Sequence, residues 1–210
     1  MRLVFISDTH NKHHKMTHPI PDGDVLIHCG DISHRGKFKA IKAFNKWLGD
    51  LPHPHKIMIA GNHDFYFQNE PVHAPKAITN ATYLLDSATT IDGVKFYGSP
   101  WSPWFHNWAF NLHRGEPIRE KWQLIPEDTD VLITHGPPFG QRDFVPLAQK
   151  HVGCEELMAR VLEIKPRVHA FGHIHEGYGR AQNEHTWFVN ASVCDIGRLA
   201  PVNAPIVVDL

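Results

Sequence analysis

Five short apolar runs each break off into a polar cluster. Leu3-Val4-Phe5-Ile6 passes into Ser7-Asp8-Thr9-His10, and Val25-Leu26-Ile27 into His28-Cys29-Gly30-Asp31. Ile57-Met58-Ile59-Ala60 precedes Gly61-Asn62-His63-Asp64, and Val131-Leu132-Ile133 precedes Thr134-His135-Gly136. Val168-His169-Ala170-Phe171 precedes Gly172-His173-Ile174-His175. Runs of this length, nearly unbroken and rich in β-branched residues, predict strands buried on both faces. Phe38, Ile41, Phe44 and Leu48 form an apolar stripe at helical spacing, as do Leu157, Met158, Val161 and Leu162, with Pro166 ending the second pattern.

Strand, helix and strand in alternation predict an α/β fold with much parallel pairing. Ligands gather beyond the carboxyl ends of strands in such sheets, so the five polar clusters are expected to converge. Thr89–Ile91 and Val94–Tyr97 flank Asp92-Gly93, a hairpin signal, and Thr186–Val189 and Pro205–Val208 read as closing strands. The stretch from Ser99 to Trp108 is aromatic and aperiodic, and its rings are expected mainly as packing anchors. With no repeat, low-complexity tract or linker, residues 1–210 read as one domain.

Composition narrows the partner class. The net charge of -1 and the lack of a Lys/Arg-rich run argue against long nucleic acid and for a small phosphorylated molecule. Cys29, Cys154 and Cys194 make no disulfide framework, which points to a reducing compartment. A first strand starting at Arg2 leaves no room for a signal peptide, and no apolar run reaches membrane-span length. The expected setting is cytoplasmic and away from membranes; the oligomeric state stays open. Of the 18 histidines, many are expected at the surface, such as His13, His14 and His18, or His53 and His55 beside prolines.

As metal ligands the clusters form a coherent set. Asp8 and His10, and again His173 and His175, are spaced i, i+2, which in an extended segment points both side chains to one side. Asp31 and Asn62 each follow a glycine that permits a tight turn, and His135 precedes Gly136-Pro137-Pro138. Carboxylate, amide and imidazole without thiolate suit manganese, iron or zinc. Two divalent ions bring about +4, and two carboxylates with a bridging hydroxide return about -3, leaving a positive site for an anionic phosphate.

Asp8-x-His10, Gly30-Asp31, Gly61-Asn62-His63-Asp64, His135 and Gly172-His173-x-His175 together resemble the motif set of calcineurin-like metallophosphoesterases. The resemblance implies two packed mixed β-sheets flanked by helices, a four-layer sandwich. It implies Asp8, His10 and His175 on one metal, Asn62, His135 and His173 on the other, and Asp31 bridging both. His63 is then the histidine that contacts phosphate and can protonate the leaving oxygen. Tyr97–Phe105, Thr134–Pro138, Phe171–Gly179 and Val189–Ser192 are similar to one subgroup, the metallophosphoesterase-domain-containing proteins grouped with class III cyclic nucleotide phosphodiesterases. That similarity implies hydrolysis of 2',3'- or 3',5'-cyclic nucleotides by in-line attack of a metal-bridging hydroxide. A phosphomonoesterase or protein phosphatase, and a nucleotide-binding scaffold with little turnover, are the alternatives.

The chain departs from the family at His34, where many members carry an acidic partner for the histidine matching His63. That puts the proton-donating role of His63 in question. Arg35 aligns with a phosphate-touching arginine of some relatives, Asp64 is expected to orient a histidine ligand, and Trp104 is expected to stack on a nucleobase.

Overall fold

The computed structural model describes residues 1–197 and 199–210. In the first half, strands β1 (Arg2–Ile6), β2 (Val25–His28), β3 (His55–Met58) and β4 (Thr82–Tyr83) alternate with helices α1 (Phe38–Gly49), α2 (Phe65–Asn69) and α3 (His73–Lys76). Then come β5 (Ser87–Ile91), β6 (Val94–Ser99), the two-residue strands β7 (Ser102–Pro103) and β8 (Asn111–Leu112), and helix α4 (Glu116–Gln123). The last part holds β9 (Val131–Thr134), β10 (Phe144–Val145), β11 (Lys150–His151), α5 (Glu155–Ile164), β12 (Val168–Phe171), β13 (Gly179–Gln182), β14 (Trp187–Asn190) and β15 (Ile206–Asp209).

Two large mixed sheets result. One has the order β15-β1-β2-β3-β4, the other β13-β14-β12-β9-β6-β5. Within each, four strands run parallel, and antiparallel neighbours close the edges: β15 on β1, β13 on β14 and β5 on β6. Leu3, Phe5, Val25, Ile27 and Ile57 meet Phe96, Val131, Ile133, Val168 and Val189 between the sheets. The alternate residues Val4, Leu26 and Met58 face outward onto Ile41, Phe44 and Leu48 of α1. On the far side, Tyr97, Leu132 and Phe188 pack on Ile118, Trp122, Leu157 and Val161 of α4 and α5. Strands buried on both faces therefore lack polar alternation, and the layers run helix, sheet, sheet, helix.

The expected strands and helices are present with bounds moved by a residue or two. Ile59 and Ala60 lie past the end of β3, although both are buried. Phe38 and Leu162 fall outside the buried stripes, exposed by 45% and 53%. Helix α4 escapes the pattern because only Ile118 and Trp122 of its eight residues are buried. Pro117 in its first turn and Glu116 at its positive end favour the start. Two histidines expected at the surface are buried. His13 packs against Phe44 and Trp47, and His53 donates from Nε2 to the Pro21 carbonyl, 2.9 Å away.

Candidate metal centre

The five polar clusters meet at the carboxyl ends of β1, β2, β3, β9 and β12. Asp8, His10, Asp31, Asn62 and His135 are all buried, while His63, His173 and His175 are half-buried. Asp8, His10, Asp31 and His173 have positive φ, at 57°, 42°, 55° and 66°. The Asp-x-His and His-x-His pairs thus converge because the chain coils back at the strand end, not because an extended backbone alternates. Main-chain bonds hold the coil: Asp8 N donates to Gly30 O and His10 N to Asp31 O, each at 3.0 Å. Such left-handed positions for residues with a Cβ persist only where the surroundings fix them.

Two glycines serve space rather than turning. A Cβ on Gly61 would lie 2.3 Å from Asp31 Oδ1, and one on Gly172 would lie 2.1 Å from Asp8 Oδ2 and from Ser7 Oγ. Gly30, by contrast, is the expected turn, with φ of +100°.

The His135 and His10 rings are each aimed by the other nitrogen. His135 Nδ1 donates to the Cys29 carbonyl at 2.9 Å, which turns Nε2 toward Asn62 Oδ1, 2.7 Å away, and Asp31 Oδ2, 3.4 Å away. His10 Nδ1 faces the Ser33 carbonyl, and its Nε2 lies 3.9 Å from both Asp8 Oδ1 and Asp31 Oδ2. His175 Nε2 stands 3.5 Å from Asp8 Oδ1 and 3.4 Å from His10 Nε2. Asp8 Oδ2 accepts from Ser192 Oγ and the His173 main chain, yet Asp8 Oδ1 is buried with no hydrogen-bond partner among the described residues. His173 adjoins His135, their rings 5.1 Å apart. Asp31 Oδ2 therefore lies between the Asp8–His10–His175 group and His135.

Acceptor atoms turned toward one another, one of them orphaned, fit a bound cation. The local charges say the same. Burial resists protonation of His135, but the charge of Asp31 and its hydrogen bond outweigh this and raise its pKa to about 9. Burial likewise opposes ionisation of Asp8, and the His175 contact still holds it well below the usual carboxylate range. His63 goes the other way, pushed down to about 4 chiefly by burial.

Around this floor the expectations divide. His63 Nδ1 donates to the main-chain carbonyl of His34 at 3.0 Å, and its Nε2 lies 3.9 Å from Asp31 Oδ2. The partner of His63 is thus backbone, which any residue at position 34 supplies. Asp64 touches no histidine: its carboxylate accepts from the main chains of Ile32, Ser33 and Gly61 and from Ser33 Oγ, clamping two ligand loops together. Burial and the nearby Asp31 raise its pKa to about 7. Arg35 is exposed beside His34. Trp104 is half-exposed and stacks on His113, and the indole that meets His63 is Trp108, with ring centres 3.8 Å apart. Trp101 is an anchor, giving its Nε1–H to Asp86 beneath the Lys121 ammonium. Trp108, Ser192 and the Cys29 carbonyl escape a reading of the sequence: nothing periodic marks Trp108, and a backbone acceptor carries no sequence signal.

Comparison with known proteins agrees with this geometry. The family described as calcineurin-like phosphoesterase matches residues 1–177. Metallophosphoesterase domain-containing protein 1 of Homo sapiens is 47% identical over 235 aligned positions, covering 100% of this chain and 71% of the relative. A UPF0046 protein of Caenorhabditis elegans is 41% identical, covering 94% of this chain and 71% of its own. Among solved structures, the protein TT1561 of Thermus thermophilus shares the fold with TM-score 0.63 at 13% identity, over 90% of this chain and 88% of that one. A structure titled as a novel archaeal phosphodiesterase has TM-score 0.51 at 16% identity, over 100% and 93% of the two chains. The chain belongs to the calcineurin-like phosphoesterase family, metal-dependent phosphoester hydrolases that bind two divalent ions.

Proposed function

We propose that this chain hydrolyses small phosphodiesters, with 2',3'- or 3',5'-cyclic nucleotides as the substrate class. The observation that carries the reading is the convergence of acceptor atoms from five strand ends around the orphaned Asp8 Oδ1. Asp8, His10 and His175 would hold one ion, Asn62, His135 and His173 the other, with Asp31 shared. When bound, manganese, iron or zinc supplies Lewis acidity to the phosphoryl oxygens and lowers the pKa of a water. With both carboxylates ionised the loaded site keeps roughly two positive charges, which suits an anionic diester.

The protein's own groups do the rest. The His34 carbonyl fixes His63 with Nδ1 protonated, so its Nε2 faces the reacting phosphate. An arriving anion favours the imidazolium, which can then give its Nε2 proton to the departing alkoxide. Asp64 keeps the Asp31 and Asn62 loops in register, and Trp108 backs the His63 ring. Cys29, Cys154 and Cys194 are free and buried, consistent with the reducing cytoplasm as the setting.

The test is turnover after reconstitution with manganese, iron or zinc. Bis-nitrophenyl phosphate is expected to outrun nitrophenyl phosphate by about tenfold in kcat/KM, a difference of about 1.4 kcal/mol, and cyclic nucleotides to be opened. Asp31→Asn is expected to abolish both turnover and full metal content. Preference for the monoester would make the protein a phosphomonoesterase, and tight nucleotide binding with no turnover would make it a scaffold.

A further inference from the structure

The side chain of His34 has no part in the reaction described above, yet it stands in a group of three imidazoles. His10, His34 and His63 each offer a ring nitrogen, and these atoms lie within 4.8 Å of one another. The His34 and His63 rings are nearly parallel, with centres 5.5 Å apart, and the His10 ring sits 4.8 Å from His63 and 6.1 Å from His34. His63 Nδ1 is committed to the His34 carbonyl, so its free nitrogen is Nε2. His34 is exposed, so an ion can arrive from solvent without crossing the buried floor. An acidic residue at position 34 would make a mixed oxygen site there; histidine makes an all-nitrogen one.

We propose that His10, His34 and His63 form an additional, inhibitory site for zinc-like transition ions, which shares His10 with the Asp8–His10–His175 position. Three neutral imidazoles bind zinc, nickel or copper, and are poor ligands for manganese or magnesium, which prefer oxygen. An ion on His63 Nε2 takes the lone pair that would hold the transferable proton. It also competes for His10, whose Nε2 has one lone pair and cannot serve two ions at once. Excess zinc therefore inhibits while excess manganese does not, and the exposed His34 confers the sensitivity. The inhibitory half rests on the phosphodiesterase reading; the binding half does not.

Two measurements test it. Crystals soaked in zinc are expected to show an anomalous peak between His34 and His63 in the unaltered protein, absent in His34→Ala, with peaks at Asp8–His175 and Asn62–His135 in both. In solution, manganese-loaded protein is expected to lose activity as zinc is added, and His34→Ala or His34→Gln to need about tenfold more zinc, since losing a ligand costs at least what losing its supporting contact does. The variants keep the His34 carbonyl, and inhibition is read for each against its own manganese-supported rate. No zinc peak at His34, or an unchanged zinc response in both variants, would overturn the proposal. A peak with no turnover under any metal would leave the site standing and overturn the phosphodiesterase reading instead.

Discussion

The floor of the site and its aromatic rim are held in different ways. On the floor, Asp8, Asp31 and Asn62 are at most 2% exposed, and main-chain donors or hydroxyls bind the two carboxylates from several loops. Asp64, itself fully buried, ties the Asp31 loop to the Asn62 loop. On the rim, Trp104 and Phe105 are 50% and 58% exposed, and Trp104 is held by Asn107 and by a main-chain bond to Leu112 of β8. The floor is over-determined, so its geometry survives without a ligand; the rim has fewer constraints and more freedom to fit one. Pre-organised charge with an adjustable wall is what one chemistry on several related substrates requires.

The comparison breaks first, and with the largest effect, at Gly172. Its missing Cβ leaves room for Asp8 Oδ2 and Ser7 Oγ, both of which a Cβ would approach to 2.1 Å. Gly172→Ala must push Asp8 or the His173–His175 loop aside. Misplacement on the scale of an ångström is expected to lower kcat by about a hundredfold or more. Metal content by elemental analysis is expected to fall with it. Normal turnover and loading would show that the floor yields more easily than its contacts indicate.

A smaller effect separates the members of the rim. Trp108 meets His63 and Trp104 does not, so Trp108→Ala is expected to reduce kcat/KM for cyclic nucleotides by about tenfold, the size of a lost aromatic contact of about 1–1.5 kcal/mol. Trp104→Ala is expected to stay within about twofold, the range of an exposed substitution. Steady-state kinetics on both variants checks this, and a reversed ranking would favour base stacking by Trp104.

The same contrast explains what can be read ahead of the structure. The strand ends and their Asp, Asn and His residues are legible because burial on both faces demands unbroken apolar runs, and such runs end where the chain meets solvent or ligand. The family motif supplies the ligand order. What stays hidden depends on contacts distant in sequence. Ser192 reaches Asp8 from 184 positions away, and Trp108 finds His63 through an aperiodic loop. Gly61 reads as a turn residue, but it is small because Asp31 and His135 crowd it. His13 reads as solvated in a histidine cluster and His53 beside prolines, while the aromatic side of α1 and the Pro21 carbonyl bury them.

The smallest expected effect is on stability, and it belongs to the layer beneath the floor. His169 lies on β12, fully buried between Phe171 and Phe188. The Thr134 hydroxyl donates to the Gly136 carbonyl, so it can only accept at 2.8 Å from His169 Nε2, which fixes the neutral Nε2–H tautomer. His169 Nδ1 then has no partner among the described residues, and protonating it would place a charge in an apolar layer. Burial accordingly lowers the His169 pKa to about 3. A histidine whose folded pKa lies below its unfolded value contributes fully above about pH 6.5 and loses that contribution as the pH falls toward the folded value. At pH 5.5 the loss from His169 alone is about 1 kcal/mol. Tm measured from about pH 7.5 to 5.0 is therefore expected to drop in the unaltered protein, and to drop less in His169→Gln. Equal slopes in the two would place the acid sensitivity elsewhere, with His28 next, since burial lowers its pKa to about 3 as well.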